Sequence, residues 1–109
     1  MQLSVAVYKL TTGFPREELY GLSNQLRRAS VSVISNIAEG HGRGSTPQLL
    51  HFLSIARGSA FEVEAQLLLA RELGFGDVEA IGRCESLCDE VSRMLHSMMR
   101  VLKEQPIAG

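Results

Sequence analysis

Apolar residues recur at steps of three and four along most of this chain, and glycine and proline interrupt the rhythm at a few places. Gly13 and Pro15 form the first break, GHGRGSTP (Gly40 to Pro47) the second, and GFGD (Gly74 to Asp77) the third; Pro106 follows the last apolar run. Period 3.6 between breaks, with no proline inside, predicts helices and no sheet. Four are expected, at about 2–12, 15–39, 46–73 and 77–104. The first carries Leu3, Ala6, Val7 and Leu10 on one face and is short for a bundle partner. The second, entered through Pro15 in its first turn, carries Leu19, Leu22, Leu26, Ala29, Val33 and Ile37.

The third helix opens at Ser45 or Thr46 as N-cap with Pro47 just inside. Leu49, Leu53, Ala56, Ala60, Val63, Leu67 and Ala70 then alternate by four and three, and Gly74 stands where a helix end favours a left-handed residue. The fourth starts from Asp77 and continues the pattern through Ile81, Cys84, Cys88, Val91, Leu95, Met98 and Leu102. Long seams joined by short loops pack as antiparallel neighbours crossing near 20°, so the expected fold is all-α, four packed helices in a single domain, 1–109. The third helix has more apolar surface than one seam needs: Leu50, Phe52, Ile55, Phe61, Leu68 and Leu69 lie off the stripe. A helix apolar nearly all round is central or covered by another subunit, so a subunit interface is expected.

Polar residues inside the pattern form stripes of their own. Gln25, Arg28, Ser32 and Asn36 follow one flank of the second helix, with Glu39 one step on; Ser59, Glu62 and Gln66 follow the third. Facing each other, these stripes would pair Arg28 with Glu62 and Arg57 with Glu39, and set the register of the two helices. The bland alternative is a set of exposed helix residues. Gly58, in mid-helix at a cost of roughly 1 kcal/mol against alanine, is expected to mark a tight helix crossing.

Composition narrows the functional classes. The 109 residues are 45% hydrophobic and 21% charged with net charge −1, so the whole chain has no polyanion-binding signature. Residues 1–60 hold six basic and three acidic side chains, and residues 61–109 five and nine. The opening MQLSVAVYKLTTGFP has neither a basic n-region nor a long apolar core, and two cysteines suit a reducing compartment, so a cytoplasmic location is expected.

Catalytic chemistry finds little support. His41, His51 and His96 share no ligand spacing, and the many serines have no base in register. Cys84 and Cys88 lie four apart on a seam and suit core packing. Glu39, His41 and His51 could cluster around the second break, where a metal is the less favoured reading. The glycine-rich GHGRGS lacks the lysine of a phosphate loop, though the third helix's N-terminus with Arg43 beside it would suit an anion. No enzyme, metal or cofactor is expected.

Two segments carry a resemblance. FPREELYGLSNQLRRASVSVISNIAEGHGR followed by FLSIARGSAFEVEAQLLLARELG is similar to the four-helix bundle family encoded by intervening sequences in bacterial 23S rRNA genes, once labelled ribosomal proteins. The match spans roughly Tyr8 to Leu102. Its anchors are Phe14-Pro15 with Glu18, then Gln25, Arg28, Ser32 and NIAEG (Asn36 to Gly40), and ARGS (Ala56 to Ser59) with Glu62. That family resembles the accessory protein of diversity-generating retroelements, a barrel-shaped pentamer that binds nucleic acid and a reverse transcriptase. The resemblance implies an antiparallel, up-down-up-down, left-handed four-helix bundle that assembles as a homopentamer, and carries no established activity. Members commonly have a longer first helix with a Leu-x-Val-Trp run, so a short or truncated one is expected here. Ser35 stands where many have proline, so a milder kink is expected. The expected function is a non-enzymatic, homo-oligomeric scaffold associated with RNA or DNA through Lys9, Arg27 and Arg43. The alternative is a protein–protein adaptor that binds no nucleic acid.

Overall fold

A computed structural model describes residues 2–19 and 21–105. Its elements are α1 (Gln2–Thr11), a 3₁₀ turn (Arg16–Glu18), α2 (Leu22–Gly42), α3 (Thr46–Leu73) and α4 (Val78–Glu104). They form an up-down-up-down bundle, with α2 and α4 packed along α3 and α1 lying against both α2 and α4. Pro106 and Tyr20 lie outside the described residues; the last helix ends at Glu104.

The second helix starts later than its periodicity predicts. Pro15 is extended at ψ 143°, and Gly21, at φ −107° and ψ −115°, breaks the chain between the 3₁₀ turn and α2. The Glu18 side chain then accepts from the Leu22 N–H at 3.3 Å, serving one of the helix's unpaired donors. Leu19 is left outside the helix and 46% exposed, although its spacing placed it on the core stripe. At the other end α2 runs unbroken through Ser35 and past Glu39 to Gly42.

The remaining boundaries follow local chemistry. Ser45 caps α3 through its hydroxyl, which accepts from the Gln48 N–H, and Asp77 caps α4 by accepting from the Ala80 N–H at 3.0 Å. Gly74, at φ +73°, closes α3: its N–H donates to the Arg71 carbonyl at 3.1 Å and the Phe75 N–H donates to the Ala70 carbonyl at 2.9 Å. Gly76 is also left-handed, and a Cβ there would lie 2.8 Å from Leu10 and 2.9 Å from Phe14. The α3–α4 loop therefore closes directly onto α1, where Phe14 and Phe75 rings meet at 5.8 Å.

The core has two parts, because α1 is only ten residues, about 15 Å long. Where it reaches, Leu3, Val7 and Leu10 join Leu26, Val33, Val63, Leu67, Ile81 and Cys88. Beyond it, Leu53, Ala56, Leu95 and Met99 form a smaller core from α3 and α4, with Ile37 of α2 against it. Met94 and Val101, on α4 past the reach of α1, are about half exposed. Leu26, Leu53, Leu67 and Leu95 are wholly excluded from solvent. Truncating any one costs about 2–5 kcal/mol, more than any single polar contact below.

Candidate functional site

The two polar stripes do meet. Gln25, Arg28 and Ser32 of α2 and Ser59, Glu62 and Gln66 of α3 line one open groove of about 370 Å³, with Ala29 at its base. Ser32 Oγ and Ser59 Oγ are 2.8 Å apart, and Asn36 Nδ2 donates to the Ser32 carbonyl at 2.9 Å and to its hydroxyl at 3.1 Å. The Gln66 Oε1 position is buried and has no hydrogen-bond partner.

The expected ion pairs do not form. Arg28 and Glu62 flank the groove and stay exposed without bridging it. Among the described residues the ion pairs are Arg43–Glu39, Arg71–Glu85 and Arg93–Asp89. A solvated pair gains only about 0–1 kcal/mol against the entropy of fixing two long side chains, so nothing draws Arg28 across. Glu39 bonds Arg43 one turn on, at 2.6 Å from Nη2 and 2.9 Å from Nε. Arg57 lies on the α4 flank of α3, its guanidinium 5.8 Å from the Phe61 ring centre, and so faces away from Glu39.

Gly58 is not the tight crossing. It is exposed, and a Cβ built there meets no atom within 4 Å. The close approach is at Gly40, which is buried; a Cβ there would lie 3.0 Å from Phe52 Cβ, 3.1 Å from Leu49 Cδ1 and 3.4 Å from the Leu49 carbonyl oxygen. The glycine-rich break predicts a helix stop at Gly40, but Gly40 sits inside the last turn of α2 and lets α3 begin against it.

The three cations expected to be free differ in their surroundings. Arg27 donates from Nε to Thr11 Oγ1 at 2.8 Å and covers the Tyr8 ring at 5.0 Å, which ties α2 to α1. The Thr11 hydroxyl in turn donates a hydrogen bond to the Val7 carbonyl at 2.9 Å, so it is used on both sides. Arg43 is held by Glu39 and lies 5.1 Å over Phe52, so it does not address the α3 N-terminus. Lys9 is exposed beside a shallow depression shared with Val5 and Arg83, and has no ion-pair partner among the described residues.

The titratable core groups are quiet. Cys84 and Cys88 are buried free thiols. Cys88 Sγ donates to the Ala60 carbonyl at 3.2 Å, and burial, with smaller contributions from Glu64 and Asp89, pushes its pKa up to about 11. His51 packs edge-on against Phe52, and no group of three metal-ligating side chains occurs among the described residues. Among those residues no helix is long and apolar enough to cross a membrane.

Comparison with known proteins agrees with this architecture. No curated protein sequence matches the chain. A crystal structure of a protein of unknown function from the S23 ribosomal protein family of Bacteroides thetaiotaomicron is similar in fold, with a TM-score of 0.79 at 23% identity over 90% of this chain and 92% of that one. The family described as 23S rRNA-intervening sequence protein matches residues 1–97, and with that match over most of its length the chain belongs to this family.

Proposed function

We propose that this protein is a non-enzymatic scaffold that assembles with copies of itself and, in the assembled form, holds nucleic acid. One observation carries the assembly. Leu68, Leu69 and Leu73, in the last two turns of α3, are 55%, 48% and 52% exposed on the longest helix of the bundle. Large aliphatic side chains grouped this way exceed the scattered exposure normal for a monomer and suit burial between subunits. The resemblance of the signature segments adds the expected stoichiometry, a homopentamer. The Ser32–Ser59 contact and the tight Gly40 approach then have a structural role, since they fix how α2 and α3 present that outer surface. Two free buried thiols suit a cytoplasmic setting.

A double variant, Leu68→Glu with Leu69→Glu, tests the assembly face. Helical circular dichroism is expected to stay, because neither side chain is in the core, while the assembled mass falls to that of one chain. An assembly that survives both charges places the interface elsewhere. The adaptor reading is favoured instead if these leucines remain accessible to solvent in the assembled protein.

A further inference from the structure

The flank of the bundle where α3 meets α4 holds a cationic groove whose α4 wall lies outside the signature segments. Arg57 and Phe61 of α3 and Ser92, Arg93, His96 and Ser97 of α4 line it, and it encloses about 420 Å³. Phe61 is 53% exposed and lies under the Arg57 guanidinium. Arg57 has no ion-pair partner among the described residues. Arg93 is paired with Asp89 at 2.9 Å, but the two side chains are 81% and 58% exposed, so a phosphate can compete for the guanidinium.

Beyond the groove α4 stays basic. Residues 91–103 read VSRMLHSMMRVLK and contain no acidic side chain. Arg93, His96, Arg100 and Lys103 are spaced by three, four and three, which sets them on one side of the helix, and all four are exposed. The row is about 15 Å long at 1.5 Å per residue. The acidic residues of the second half of the chain otherwise fall between Glu62 and Glu90, with Glu104 at the end of α4. The net charge of −1 therefore conceals a local cationic strip.

We infer that this α3–α4 groove and the basic row leading on from it form a single-stranded nucleic-acid site, in which Arg57 and Arg93 in the groove and Arg100 and Lys103 beyond it contact consecutive backbone phosphates and one base stacks on Phe61. The chemistry fits such a strand: guanidinium groups match phosphate oxygens, and an aromatic face beside them accepts any base. A duplex offers no unstacked base to Phe61, so single strands are preferred over double strands. The inference rests on the nucleic-acid part of the proposed function and supplies its contact residues, in place of Arg27 and Arg43.

The test is fluorescence anisotropy of the full chain with labelled 20-nucleotide single-stranded RNA, the same sequence as single-stranded DNA, and a duplex of it, across a salt series. Arg57→Ala with Arg93→Ala is expected to weaken single-strand binding tenfold or more and to flatten the log–log salt slope by about 1.4, the value for two lost phosphate contacts. Phe61→Leu is expected to weaken binding severalfold with the slope unchanged, a separation that a merely structural defect does not produce. Light scattering and circular dichroism on each variant establish that assembly and folding are kept. Wild-type binding that ignores both substitutions overturns the groove and leaves the nucleic-acid reading standing. Absence of wild-type binding at low salt overturns both, and tighter duplex than single-strand binding overturns the stacking role of Phe61.

Discussion

Ser32 and Ser59 share a hydrogen bond of 2.8 Å between their hydroxyls across the α2–α3 contact. Each is flanked by core: Val33 follows Ser32 on α2, and Ala60 follows Ser59 on α3. The bond sits where the dry seam gives way to the open polar groove, and Asn36 braces it from one turn along. Small hydroxyls let the two helices come close while still satisfying each other.

Replacing either serine with alanine is expected to lower stability by about 1 kcal/mol, the net worth of such a bond. The double variant should lose less than the sum, because the second change removes a hydroxyl already without its partner. Urea unfolding of the four proteins measures this. Strict additivity would mean that the two hydroxyls act independently.

Gly40 and Gly58 should respond oppositely to alanine. Gly40→Ala forces a methyl to 3.0 Å from Phe52 and 3.1 Å from Leu49, and overpacking of that kind costs about 1–3 kcal/mol. Gly58→Ala adds a methyl into open space in a helix interior, and propensity alone should raise stability by about 1 kcal/mol. Melting temperatures of the two variants decide it. Destabilisation by Gly58→Ala comparable to that by Gly40→Ala would restore Gly58 as a packed crossing.

Cys88 sets a pH dependence at the alkaline end. Its thiol titrates near 11 in the fold against an ordinary value of 9.0, so the folded protein holds a proton that the unfolded chain releases. The contribution is fully present below about pH 9. It is lost as pH rises towards 11, with a limiting slope of about 1.4 kcal/mol per pH unit. Stability of the wild type should therefore fall more steeply than that of Cys88→Ala between pH 9 and 11. Parallel curves would show that Cys88 is solvated. Native Cys88 should also resist thiol reagents at pH 8 and react fully in denaturant.

Most of the fold was legible because seam residues at three-four spacing can satisfy burial in only one way. Leu53, Ala56, Ala60, Val63, Leu67 and Ala70 are all buried, as their spacing required. The polar stripes were legible for the same reason, and Gln25, Arg28, Ser32, Ser59 and Glu62 do share one groove. What spacing does not reveal is the choice among partners. Arg57 and Glu39 have compatible charges, yet Arg57 lies on the other flank of α3, and Glu39 has a nearer cation one turn away in Arg43. Gly40 and Gly58 look alike in sequence, and only the entry angle of α3 decides which one is crowded. The cationic strip on α4 was hidden by counting charge over half the chain. A window over residues 91–103 shows it at once, whereas its meeting with Arg57 and Phe61 needed the packing of α3 on α4.

Self-assembly is tested most directly by static light scattering of the purified protein. The chain weighs 11.9 kDa, so a homopentamer gives a particle of about 60 kDa that persists on dilution into the micromolar range. A mass of 11.9 kDa at every concentration would contradict it, and would leave Leu68, Leu69 and Leu73 as an exposed surface with no subunit to cover them.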